Sequence, residues 1–244
     1  MSWRERNSAL ASNIQEVIVA VTMKKPAIGV LTLGQTPRPD LVEAVQSIVP
    51  GAELTIRGGF DGLSMNEIES YRAGQNPEYA LMVRLANGET MDVDMYDLLP
   101  NLTKQAELLA GDGAQQIVLM CSGGFAEFTS PVPVIRPVAL FQAYVGVLAV
   151  RKRVGILNPI QAQVAAASTY WQKLGYTTFS DHASPFDPDT VRVKAKALGE
   201  KDIDCLMLDC MSFTHESLRI VQETVSVPVL LPMKLIQVFF QAIY

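Results

Sequence analysis

Three cysteines and two histidines are the whole supply of thiol and imidazole groups in this 244-residue chain, and two of the cysteines recur in one pattern. Ile117–Phe125 (IVLMCSGGF) is an apolar run that ends in Cys121 and passes into Ser122, Gly123 and Gly124. Ile203–His215 (IDCLMLDCMSFTH) is a second such run, ending in Asp209-Cys210 and passing into Met211, Ser212 and Phe213. A thiol becomes an effective base or nucleophile as its thiolate, which a helix N-terminus or a nearby cation favours. The backbone N–H groups of residues 122–124 and 211–213 are placed to do this, or to bind a substrate carboxylate. Thiols on opposite faces of one carbon permit proton removal from one side and return from the other, which is racemisation or epimerisation without a cofactor. One thiol beside an anion-stabilising pocket suits decarboxylation instead, and a thiolate adding to a double bond suits cis–trans isomerisation. Cys205, inside the second run, reads as core.

The elements that must carry these cysteines are written twice. Ala27–Leu33 is a continuous apolar run of strand length, followed by a loop from Gly34 to Pro39, a helix over Asp40–Val49 and a strand over Glu53–Arg57. Ser64 and Glu67 form a capping-box signature for a short helix reaching about Ala73. A helix over Asp97–Ala110 leads to the Cys121 strand, a short strand Val132–Ile135 between prolines, and a helix Val138–Val150. Arg153–Leu157 restarts the programme. A helix Gln161–Leu174, a strand Tyr176–Phe179, a helix from Pro188 to Gly199, the Cys210 strand, a helix Thr214–Glu223 and a proline-flanked strand at Val227–Pro232 follow in the same order. One piece breaks the alternation. Ala80–Leu85 and Thr90–Val93 flank Asn87-Gly88, a strong hairpin signal, and read as an insertion in the first half.

The fold class is therefore α/β, with two pseudo-symmetric parallel-sheet sub-domains and a cleft between them. Residues 25–137 form the first and 138–232 the second, with the last helix, 233–244, free to pack back on the first. Residues 1–24 read as an N-terminal extension, with Met23 a natural start for the domain. Such sheets bind ligands at the carboxyl ends of their strands, and both cysteines fall there.

Cys121 and Cys210 are the expected catalytic pair. Thr32, Gly34, Gln35 and Thr36, at or past the end of the first strand, are expected to reach the cleft. Arg38 offers a guanidinium fork for a substrate carboxylate. Ser122, Gly123, Gly124, Ser212 and Phe213 supply donors beside the sulfurs, and Asn158 mirrors the Gly34-Gln35 loop. Asp209 reads as a cap on neighbouring backbone ahead of a residue orienting the active-site loop, His215 as a surface residue of a first helical turn ahead of a proton shuttle or thiol partner, and His182 as a loop residue without a constellation.

Composition excludes other classes. The net charge is −5 and no run of Lys or Arg forms a face, which argues against nucleic acid. The apolar stretch Ile14–Met23 is interrupted by Glu16 and too short for a membrane span. An odd cysteine count without ligand spacing argues against disulfides and metal, and points to a reducing cytoplasm. Gly58-Gly59 and Asp61-Gly62 match no dinucleotide or phosphate fingerprint, so no cofactor is expected. The expected partner is a small carboxylate ligand; a homodimer is compatible with the chain.

The doubled layout, with a cysteine after an apolar strand in each half, resembles the aspartate/glutamate racemase superfamily, which includes hydantoin racemases, arylmalonate decarboxylase and maleate isomerase. More closely, Gly29–Gly34 (GVLTLG), Met207–Phe213 (MLDCMSF) and Val227–Leu231 (VPVLL) resemble the AroM family. The resemblance implies a two-half α/β fold and a cofactor-independent isomerase or racemase acting on a small amino-acid-like or dicarboxylate-like acid. It also leaves room for a single-cysteine decarboxylase or lyase, or a non-catalytic small-acid-binding protein.

Overall fold

Ala27–Thr32 (β1) and Arg153–Asn158 (β7) are buried at every residue but the first, as strands covered on both faces must be. Each lies at the centre of a four-stranded parallel sheet. The computed structural model describes residues 25–74, 77–124 and 127–244; the extension expected over residues 1–24 lies outside the described residues. In the first sheet β1 is flanked by β2 (Glu53–Gly58) and β5 (Gln116–Leu119), with β6 (Val134–Ile135) beyond, in the order β2-β1-β5-β6. In the second, β7 is flanked by β8 (Thr177–His182) and β9 (Cys205–Leu208), with β10 (Val229–Leu230) beyond, in the order β10-β9-β7-β8. Read from the β2-like edge, the two orders are the same. The register repeats too: Ile28 pairs with Gln116 as Val154 pairs with Cys205.

Helices cover the sheets largely as the sequence alternation requires. Among the described residues, however, none follows β5 before β6, whereas one follows β9, so the helix expected after each cysteine strand forms only in the second half. The first half carries α1 (Pro39–Ile48), α2 (Met65–Glu69) and α3 (Met95–Gly111); α4 (Pro137–Leu148) leads into the second half, which carries α5 (Gln161–Lys173), α6 (Pro188–Gly199) and α7 (His215–Gln222), and α8 (Pro232–Ile243) closes the chain. Prolines stand in the first turns of α1, α4, α6 and α8, where the missing N–H is no loss. The capping box at Ser64 forms as the spacing predicts. The helix it starts is shorter than expected, ending at Glu69 rather than near Ala73.

Ile236 and Phe240 of α8 pack with Ile28, Val30 and Val45 in the first half, while Leu235 packs with Val154 and Ile156 in the second. The last helix thus joins both cores, and the Tyr244 hydroxyl accepts a hydrogen bond from the Gln116 side chain.

The expected hairpin is present as β3 (Ala80–Arg84) and β4 (Thr90–Asp94), a two-stranded antiparallel sheet to which Arg72 adds a single antiparallel bridge at Val93. Gly88 supplies the positive φ its turn needs. One expectation is corrected. His182 is the last residue of β8, paired in register with Asn158, because the strand runs past Phe179 instead of breaking at the polar stretch. Among the described residues no helix is long and apolar enough to cross a membrane.

Candidate active site

Each cysteine stands two residues beyond the end of its strand. Met120 separates Cys121 from β5 and Asp209 separates Cys210 from β9. The spacer residues are held alike: Met120 N–H donates to the Leu31 carbonyl at 2.9 Å, and Asp209 N–H to the Leu157 carbonyl at 2.8 Å. This register directs both cysteines into one cleft of about 610 Å3. Both are half-buried and free, and the charge of Cys210 bears on Cys121.

Burial pushes the Cys121 thiol up to about 12; the Gly123 backbone opposes this, and the charges of Asp209 and Cys210 add to it. The Cys210 thiol is also pushed up by burial, against hydrogen bonds from the Ser212 backbone and hydroxyl, the backbone N–H lying 3.4 Å from Sγ. No thiolate forms readily in this cleft as it stands. The donors after each cysteine work against desolvation and lose to it.

Asp209 is a third acid in the same place. Only 8% exposed, it accepts a hydrogen bond from the Ser122 side chain, which follows the cysteine of the other half. Its Oδ1 is buried and has no hydrogen-bond partner. Burial raises its carboxyl to about 6. Tyr79, just before β3, reaches over the loop after Cys121, and its hydroxyl accepts the Gly124 N–H at 3.2 Å. Burial and the nearby Asp209 and Cys121 charges push this phenol up. Tyr170 of α5 closes on the same loop and accepts a hydrogen bond from Gln142 at 2.7 Å. A Cβ at position 124 would lie 2.4 Å from the Tyr170 ring, so only glycine lets the ring come this close.

Of the residues expected at the site, the cleft is lined by Thr32, Arg38, Cys121, Ser122, Gly123, Cys210 and Ser212. Arg38 faces it as part of an ion pair: its Nε and Nη2 fork onto Asp40 at 2.9 and 2.7 Å. The other expected residues are occupied elsewhere. Gly34 lies against the hairpin, where a Cβ would meet the Arg84 carbonyl at 1.9 Å. Gln35 N–H donates to that carbonyl, and its side chain accepts from Ala86 N–H at 3.2 Å. Thr36 is held by Asp61 through both its N–H and its hydroxyl. Gly124 lies beneath Tyr79 and Tyr170. Asn158 is fully buried and donates to the Asp181 carbonyl at 3.3 Å. Phe213 is 1% exposed and packs in the second half's core.

Residues not expected at the cleft include Asp209, Tyr79, Asp40 and Phe186, the last 78% exposed at its edge. Among the described residues no group of three or more His, Cys, Asp or Glu side chains could hold a metal ion.

The sequence profile described as "AroM protein" matches residues 28–242. The chain belongs to the AroM family. No curated protein matches it by sequence. Solved structures match its fold over nearly all its length at low identity. Arylmalonate decarboxylase is 16% identical with a TM-score of 0.59, covering 89% of this chain and 91% of that one. Glutamate racemase isoform RacE1 from Bacillus anthracis is 14% identical with a TM-score of 0.57, covering 89% and 81%. The maleate isomerase Iso from Pseudomonas putida S16 is 12% identical with a TM-score of 0.56, covering 90% and 93%. At such identities the likeness is one of fold: a racemase-like α/β architecture shared by the AroM family.

Proposed function

We propose that this protein is a cofactor-independent isomerase or racemase of a small carboxylate, with Cys210 and Cys121 as opposed acid and base. The observation that carries this reading is that matching positions of the two halves deliver their thiols into one cleft. The racemase, decarboxylase and isomerase among the proteins of like fold support the same reaction class by analogy.

In such a step a thiolate takes the proton from the carbon next to the substrate carboxylate. The electron pair left behind spreads into that carboxylate, and the opposite thiol returns a proton to the other face. One thiol and one thiolate have exchanged places, so nothing is consumed. Ser122 and Ser212 hydroxyls and the neighbouring backbone N–H groups are the donors available to the developing anion. Arg38 is placed to exchange Asp40 for the substrate carboxylate.

The raised thiols set the pH dependence. Thiolate content, and with it turnover, climbs with pH through neutrality and does not level off below about pH 9, because the Cys121 thiol is pushed up to about 12. A single-thiol lyase is the rival that one observation favours: Cys210 keeps both Ser212 donors, so it ionises with more help than Cys121.

The test is wash-out of the α-proton of a panel of chiral small acids in deuterated water, followed by proton NMR. Exchange by the wild type, lowered by roughly 10²–10⁴ in both Cys121→Ala and Cys210→Ala, is the expected result. Loss in Cys210→Ala alone would leave the lyase. Binding without exchange, indifferent to either change, would leave a non-catalytic binder.

A further inference from the structure

Asp209 is the group in the cleft that the two-thiol step does not use. Its surroundings limit what it can do. From its own strand end it faces Cys210, from the first half Cys121 and Ser122, from the start of the hairpin Tyr79, and from α5 Tyr170. All of these are hydroxyl or thiol groups. Arg136 acts on Tyr170 but is engaged with Glu127 and the Phe128 ring, while Arg38 and Arg84, which line the cleft, carry Asp40 between them. An ionised Asp209 thus lies among acids, with one buried oxygen unpartnered.

A carboxylate ligand entering this cleft would place a second negative charge against the first. A protonated Asp209 needs one acceptor only, and a carboxylate oxygen is that acceptor.

We propose that Asp209 is a ligand-binding residue that takes up a proton as a small carboxylate enters the cleft, its carboxyl then donating a hydrogen bond to the ligand's carboxylate. This rests on the small-carboxylate reading above and narrows it. The raised carboxyl, at about 6, is mostly ionised at neutral pH and so able to take the proton. Neutralising Asp209 also removes a charge that raises both thiols, so binding prepares the cleft for thiolate chemistry.

The experiment is calorimetric titration of the full chain with malate, ionised throughout the range used, at pH 6, 7 and 8 in two buffers of different ionisation enthalpy. The expected result is uptake of nearly one proton per malate at pH 7, with affinity falling about tenfold per pH unit above it. Asp209→Asn should bind with no proton uptake and no pH dependence. Ser122→Ala, which removes the bond that favours the ionised form, should move the onset of the fall to higher pH. Three results would overturn the proposal: wild-type binding that is independent of pH, no binding of malate even at pH 6, or glutamate and aspartate binding more tightly at pH 8 without proton uptake. Proton-coupled binding that survives while α-proton exchange is absent would overturn the thiol mechanism alone.

Discussion

Met120 and Asp209 occupy the same place in the two halves of the molecule. Each follows a fully buried four-residue strand, each donates its N–H to the equivalent leucine of the neighbouring central strand, and each precedes a cysteine that lines the cleft. One is a thioether packed with Val118 and Ile135; the other is a buried carboxyl. The backbone is duplicated and the chemistry is not. Fold symmetry therefore sets where the thiols lie, while the spacer residue sets the electrostatic surroundings they share. The same inequality holds past the cysteines, where Gly123 and Gly124 admit two tyrosines and Phe213 at the place of Gly124 fills the core.

The most damaging way to abolish the difference is to give both halves a carboxylate. Met120→Asp places a second buried acid in the cleft with no cation to meet it, and should cost about 3–5 kcal/mol, read as a lowered urea midpoint. Unchanged stability would mean that the two places differ less than their surroundings indicate. Removing the charge from the other side has the opposite sign. The rise of the Asp209 carboxyl from 3.8 to about 6 corresponds to roughly 3 kcal/mol. Because the folded state holds this proton more tightly than the unfolded chain, the cost is absent below about pH 4, grows as pH rises through about 6, and is complete above that. Asp209→Asn should thus be more stable than the wild type at pH 7 by about 2–3 kcal/mol and equal to it near pH 4, and both thiols should alkylate at lower pH.

A smaller effect is expected from Tyr79→Phe. It leaves the Gly124 N–H without its acceptor and should cost about 1–2 kcal/mol in thermal or urea unfolding. The smallest comes from the loop that sequence placed at the cleft: Gln35→Ala removes an exposed acceptor for Ala86 N–H, and should change stability by less than about 1 kcal/mol and leave malate affinity unaltered. A large loss of affinity there would return the loop to the site.

The parts that could be read from sequence are those set by local pattern. The apolar runs, proline starts and the Asn87-Gly88 turn are short-range signals, and they yield the doubled order of strands and the hairpin. Which surfaces then meet is a long-range matter. Nothing near Tyr79 in the chain says that its hydroxyl will lie over Gly124, forty-five positions away. Gly34, Gln35 and Thr36 stand where a ligand loop belongs, but the hairpin and Asp61 claim them, and both lie far along the chain. Asp209 looked like a cap because that is the common fate of an aspartate after a strand. Its lone oxygen becomes evident only once both halves are assembled around it. The pairing of Met120 with Asp209 was nonetheless present in the repeat, and comparing the two cysteine strands residue by residue would have singled it out.

The unlike spacers bear on how a reversible interconversion would run. Mirror-image molecules have equal free energy in water, so the ratio kcat/KM must be the same in both directions, whatever the surroundings. A cleft with a carboxyl on one flank and a thioether on the other can still divide that ratio unequally, holding one hand tightly and turning it over slowly while releasing the other quickly.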